Sequence, residues 1–208
     1  PIHYEIERII FDKLGINVSA EIHRTYLGTA GDFMYTDLKS RFSLSETITE
    51  LLEQDEAFRC DYFKSLPGIH LNEGALSLLH DIKRAGLSLA VATSSSPGLA
   101  RILLERCEVF SIFDAVVTTE EAGKSKPAPD VYLLAAQKIG AEPVNCIVFE
   151  DSPNGIRAAK SAGMVCVAIQ TDSVGVHELS HADDLIGSFR EITMERVLAI
   201  FSRGRVTG

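Results

Sequence analysis

Glu150 and Asp151 stand side by side at the end of the apolar run Cys146-Ile147-Val148-Phe149, and Ser152-Pro153-Asn154-Gly155 leads from them into the helical pattern Ile156-Arg157-Ala158-Ala159-Lys160. An apolar run without alternation suits a strand buried on both faces of a parallel sheet. Carboxylates at the C-terminal end of such a strand lie where open α/β sheets bind ligands. Two adjacent acids are costly to withdraw from water unless a cation neutralises them, and a divalent cation is the usual answer. The same residues also suit a pair of acids at a helix N-terminus, favoured by the helix dipole. Taken alone, the two readings are nearly balanced.

Two further stretches bear on that balance. Thr93-Ser94-Ser95-Ser96-Pro97-Gly98 follows an apolar run at residues 87–92 and precedes a helical pattern. Hydroxyls with free backbone N–H groups at a helix N-terminus make an anion site, and phosphate is the commonest such anion. An N-cap cluster followed by proline explains this stretch equally simply. After the apolar run at 115–118, Lys126 sits in Glu120-Glu121-Ala122-Gly123-Lys124-Ser125-Lys126-Pro127-Ala128-Pro129-Asp130. Two prolines and a glycine predict a stiff, non-helical loop holding Lys126 as a fixed cation, with Lys124 solvated. Three successive strand ends thus offer a hydroxyl-rich cradle, a lysine and a pair of acids. Together they favour a divalent metal at the acids and an anion, a phosphoryl group or a carboxylate, at the lysine.

The elements that must position these groups fall into two parts. Residues 1–14 carry a 3.6-residue apolar stripe of Ile2, Ile6, Ile9, Ile10 and Leu14, stopped by Gly15. A polar connection through Asn17 and Ser19 leads to a helix at about 32–41. Ser43 and Glu46 form a capping box that opens a long helix to about residue 63. Beyond Pro67-Gly68 the pattern changes. Helices are expected at 76–85, 99–107, 131–139, 156–162 and 194–201, alternating with strands at 87–92, 115–118, 146–149, 165–169 and 185–186. Such alternation predicts an α/β fold with a doubly wound parallel sheet. Residues 1–66 form a small helical domain and residues 67–208 the α/β core.

A net charge of −9 with no basic stripe argues against a nucleic-acid partner, though a local cation can still attract a small anion. No apolar run approaches the length of a membrane span, and there is no signal peptide. Cys60, Cys107, Cys146 and Cys166 lack paired metal spacing and read as buried, reduced thiols. These features predict a cytoplasmic protein without membrane or nucleic-acid partners, and a monomer is expected.

Leu89-Ala90-Val91-Ala92-Thr93-Ser94-Ser95, Ser125-Lys126-Pro127-Ala128-Pro129-Asp130 and Phe149-Glu150-Asp151-Ser152-Pro153-Asn154-Gly155 resemble the haloacid dehalogenase superfamily. Within it, the chain is similar to the β-phosphoglucomutases and small sugar-phosphate phosphatases, with the helical domain as their cap. The resemblance implies that Thr93 hydrogen-bonds the transferring phosphoryl group with Ser94 and Ser95 beside it. It implies that Lys126 neutralises that group, and that Asp151 binds Mg2+ with help from Glu150. It also implies an aspartyl-phosphate formed by an Asp-x-Asp-Gly turn after a first core strand, and this chain departs from that pattern. Ile9-Ile10-Phe11-Asp12-Lys13-Leu14-Gly15 imitates the turn, but Leu14 stands where the second acid belongs and Asp12 falls on a helical stripe. The chain starts at Pro1, as if just after its catalytic turn, so the first core strand and nucleophile are expected to be missing and this chain alone inactive.

His3 occupies the position of the mutases' cap-hinge histidine, which orients the acid/base group; an exposed helix-terminal histidine fits as well. Leu27-Gly28-Thr29-Ala30-Gly31-Asp32 resembles the cap's substrate-specificity loop, making Gly28 a substrate-side residue. The mutases hold a second phosphate with an arginine near Gly31, and Arg24, Arg41 and Arg59 read as surface residues. The expected function is therefore an Mg2+-dependent phosphatase of a small phosphorylated metabolite such as a sugar phosphate. A β-phosphoglucomutase-like enzyme and a non-catalytic homologue binding a phosphometabolite or a partner are the alternatives.

Overall fold

A computed structural model of the chain describes residues 2–26, 31–171 and 174–204, with only the backbone at residues 2–4, 24, 203 and 204. Two compact units divide it, Pro1–Pro67 and Gly68–Gly208.

The first unit is helical: α1 (Ile2–Lys13), α2 (Ala20–Tyr26), α3 (Gly31–Phe42) and α4 (Ile48–Ser65). The stripe of α1 buries Ile6 and Ile10, and Phe11 joins Tyr35, Leu38 and Leu51 in the core. Two expectations are corrected here. The polar stretch after Gly15 is followed by α2, a helix of seven residues too short to show an apolar stripe. The capping box exists but four residues later, where Thr47 accepts from the Glu50 N–H and Glu50 accepts from the Thr47 N–H. Ser43 instead takes a positive φ of 55°, and Lys39 Nζ ties down the carbonyls of Leu44 and Glu46.

Arg59 is also corrected, because it is not a surface residue. Its Nε donates to Asp55 at 2.6 Å and its guanidinium lies 3.5 Å from Glu7. Glu7 pairs with the buried His23, and the Tyr35 hydroxyl donates to Asp55 at 2.8 Å. The group links all four helices, and burial followed by the Asp55 charge pushes the Tyr35 phenol far above its usual range.

The second unit contains α5 (Ala75–Arg84), β1 (Ala90–Thr93), α6 (Pro97–Arg106), β2 (Ala115–Thr118), α7 (Thr119–Ala122), α8 (Asp130–Lys138), β3 (Ile147–Glu150), α9 (Pro153–Ser161), β4 (Val165–Ile169), β5 (Asp184–Ile186) and α10 (Met194–Gly204). All strand pairs are parallel, and they form two sheets, β1–β2 and β3–β4–β5. Alternate residues serve opposite faces. Val148, Cys166 and Ala168 pack into one apolar cluster with Tyr132 and Ile156, whereas Val165, Val167 and Ile169 pack into another with Leu78 and Ile200. Helices on both faces explain why β4 is buried at every position. β1, paired only with β2 among the described residues, is half-buried throughout.

β1 starts later than its apolar run, since Leu87 is 46% exposed and its N–H closes the end of α5 on the Ile82 carbonyl. Gly86, at φ 73°, supplies the left-handed residue that this helix end needs. Further on, Asp114 accepts from the Leu89 N–H and from Lys83 Nζ, each at 2.8 Å, fastening α5 to the entry of β1. The thiol expectation also changes. All four cysteines are free, but only Cys166 is buried, and burial, then the Glu150 charge, pushes its thiol up to about 12. Among the described residues, no helix is long and apolar enough to cross a membrane.

Candidate active site

Parallel strands bring their C-terminal ends to one edge, so Thr93, Thr118 and Glu150 each close a strand on that side of their sheet. The turn after β1 is more self-contained than its sequence suggests. Thr93 Oγ1 accepts from the Ser95 N–H at 3.0 Å, and Ser96 caps α6 by accepting from the Leu99 N–H at 3.3 Å. These two N–H groups are engaged within the turn and are not open to an anion. The Thr93 hydroxyl proton remains a donor because its oxygen is acting as acceptor. Ser94 is exposed, while Thr93 and Ser95 are half-buried.

The loop after β2 also differs in part from the sequence reading. Glu120, Glu121 and Ala122 lie in the short helix α7, capped by Thr118 and ended by Gly123; the non-helical loop is the part from Gly123 to Pro129. Lys124 is exposed, as expected, and lies 3.8 Å from Asp130. Lys126 is turned inward, its side chain only 11% exposed. Its Nζ donates to the Ala92 carbonyl of β1 at 3.3 Å and to Glu150 Oε1 of β3 at 2.5 Å. One ammonium therefore spans the ends of two strands that belong to different sheets.

The two acids take different positions. Glu150 is 8% exposed, and both of its oxygens are occupied. Oε1 accepts from Lys126 and from the Tyr132 hydroxyl at 2.9 Å. Oε2 accepts from the N–H groups of Asp151 (2.7 Å) and Ser152 (2.9 Å) and from Ser152 Oγ (3.1 Å). Burial opposes the Glu150 charge, but the Lys126 ammonium and these donors outweigh it and hold the carboxyl below its usual range. The carboxylate also rests on the first turn of α9, where a Cβ on Gly155 would come within 1.8 Å of Oε1. That contact explains the glycine. Asp151, by contrast, is exposed; partial withdrawal from water, then the Glu150 charge beside it, raises its carboxyl above the usual range.

For Mg2+, this arrangement offers one open carboxylate, Asp151, and no group of three or more His, Cys, Asp or Glu that could hold a metal occurs among the described residues. Asp151 fits the part of a single ligand. The residues described do not make a whole metal site.

His3 lies in α1, its side chain outside the described residues, and Gly28 lies outside them altogether. Arg41 is engaged by Asp37 at 2.5 Å. Sequence reasoning missed Tyr132, which sits in the first turn of α8 among apolar neighbours and reads there as one more core residue. The available signal was chemical: a buried tyrosine, unlike a phenylalanine, needs a partner for its hydroxyl.

Residues 9–163 match the family described as haloacid dehalogenase-like hydrolase. Hexitol phosphatase A of Escherichia coli is 32% identical over 163 residues, 76% of this chain and 69% of that protein. The structure of CbbY from Rhodobacter sphaeroides in complex with xylulose-(1,5)bisphosphate superposes with a TM-score of 0.77 at 29% identity, over 91% of this chain and 88% of that one. A β-phosphoglucomutase from Clostridium difficile shares the fold, with a TM-score of 0.82 over 98% and 91% of the two chains, at 20% identity. Matched across three quarters of its length, from the helical unit through the Glu150–Gly155 turn, the chain belongs to the haloacid dehalogenase-like hydrolases.

Proposed function

We propose that this protein is an Mg2+-dependent phosphatase of a small phosphorylated metabolite, a sugar phosphate or a related polyol phosphate, with residues 1–66 as cap and 67–208 as core. One observation carries the reading: Lys126 Nζ reaches both the last-but-one carbonyl of β1 and the terminal acid of β3. A cation held between two strand ends is suited to a phosphoryl group, whose transfer asks chiefly for positioning and charge neutralisation. In this reading the Thr93 hydroxyl, with Ser94 and Ser95 beside it, donates to a phosphoryl oxygen while Lys126 holds its charge. Asp151 contributes one ligand to Mg2+, which when bound would offset the negative charge of the phosphoryl group. Glu150 keeps Lys126 in place. The hexitol phosphatase and the bisphosphate complex of CbbY support a phosphorylated carbohydrate as substrate.

The nucleophile in this reading is the first aspartate of an Asp-x-Asp-Gly turn ending a parallel strand that pairs with β1 and β3. Each of those strands has a partner on one side only among the described residues, which supports such an insertion. His3 and Gly28 belong to the cap's side of the substrate. The phosphatase reading is preferred to a mutase because Arg41 and Arg59 are occupied by acids of the helical unit rather than available for a second phosphate.

The test compares residues 1–208 with a version extended by an apolar strand ending in Asp-x-Asp-Gly, assayed on hexose and hexitol phosphates with Mg2+. Turnover by the extended protein alone is expected. Clear turnover by residues 1–208 would contradict the assignment of the nucleophile.

A further inference from the structure

Lys126 and Glu150 do not hold each other alone. Tyr132, 5% exposed in the first turn of α8, donates its hydroxyl to Glu150 Oε1 at 2.9 Å, the oxygen that also accepts from Lys126. Its ring lies beneath the same ammonium, with Nζ 4.8 Å from the ring centroid. That is within cation–π range, where the ring face attracts a cation even when desolvated. The tyrosine thus touches both members of the ion pair, one through its edge and one through its face. An ammonium has three donors, and the described residues take two, at Ala92 and Glu150.

We propose that Tyr132 is a positioning residue: it fixes Glu150 Oε1 and floors the Lys126 ammonium, so that the third Lys126 donor stays available to a phosphoryl oxygen. The proposal rests on the reading above that Lys126 meets that group. Without the hydroxyl, Glu150 Oε1 has Lys126 as its remaining side-chain donor and draws the ammonium more fully onto itself. Without the ring, the ammonium also loses its floor. Burial and then the Glu150 charge hold the phenol far above its ordinary range, so it remains a donor across the working pH range.

Binding of inorganic phosphate to the intact protein tests this by calorimetry in a double-mutant cycle. Tyr132→Phe keeps the ring and removes the hydroxyl; it is expected to weaken phosphate about fivefold. Lys126→Met is expected to weaken it at least about tenfold, and adding Tyr132→Phe to it should change nothing further. Urea unfolding of the same proteins separates this from a structural role, which would lower stability alike in both backgrounds without touching phosphate affinity. Unchanged affinity in Tyr132→Phe overturns the proposal, as does equal weakening in both backgrounds. If Lys126→Met itself leaves phosphate binding unchanged, the phosphoryl role of Lys126 fails and the positioning role falls with it. Should Lys126→Met not fold, Lys126→Gln takes its place, since it retains a donor for Glu150.

Discussion

In the helical unit, Glu7, His23, Asp55, Arg59 and Tyr35 close upon one another across four helices. At the edge of the core, Glu150 gathers Lys126, Tyr132 and Ser152 around one carboxylate. Both clusters are buried ion pairs completed by a tyrosine hydroxyl, yet they differ in what lies beside them. The helical cluster spends its charges on its own helices. The edge cluster sits at the end of a strand, immediately before an exposed aspartate, with a lysine whose third donor has no partner among the described residues. One pair fixes helices together; the other, in the function proposed above, holds a cation ready for a ligand.

Removing one partner of each cluster should break the comparison most sharply. Glu150→Gln leaves the Lys126 ammonium without its counter-charge where the pair is 11% and 8% exposed. The expected loss is roughly 3–5 kcal/mol of core stability, read by urea unfolding, together with weakened phosphate binding. Arg59 and Asp55 are each 15% exposed, so more water can reach them. Arg59→Met should cost about 2 kcal/mol in the helical unit and leave phosphate affinity unchanged. Pairing it with Asp55→Leu should recover part of that loss, because no uncompensated acid then remains at that position. Tyr35→Phe, which deletes one hydrogen bond to Asp55, should cost about 1 kcal/mol.

The smallest effect comes from an ion pair that belongs to neither cluster. The Asp114 carboxyl is held below its usual range by the hydrogen bond from Lys83 and then by the Leu89 N–H. A depressed folded pKa means stabilisation that is present above the unfolded value, near pH 4, and lost as pH falls through the folded one. Asp114→Asn should lower stability slightly near neutrality and flatten the profile below about pH 4, where the two proteins converge, as followed by thermal unfolding in an acid series.

Much of this architecture was legible in the sequence, because long periodic segments report burial directly. The stripe of α1, the apolar run of β4 and the helix ending at Gly86 all follow from spacing alone. What escaped was set by tertiary partners. The capping box slipped four residues because two Ser/Thr–x–x–Glu spacings compete, and only the chain reversal at Ser43 chooses between them. α2 has too few residues to display a stripe. At the site, residue types singled out Thr93, Lys126 and Asp151 as candidates. They could not reveal that Glu150 is enclosed while its neighbour is open, since that difference is set by Lys126, Tyr132 and the turn after β3, which gather on Glu150 alone. Nor could they reveal the amides withdrawn by Thr93 and Ser96, whose hydroxyls hydrogen-bond locally instead of leaving those donors for an anion.

The central claim is that the ends of β1 and β3 form one phosphoryl site with Lys126 across it and Asp151 at its metal side. Backbone NMR of the protein titrated first with Mg2+ and then with inorganic phosphate tests it most directly. The account predicts Mg2+ shifts centred on Asp151 and Ser152, and phosphate shifts centred on Thr93, Ser94, Ser95 and Lys126. Phosphate shifts confined to other parts of the chain, or none at saturating concentration, would contradict it.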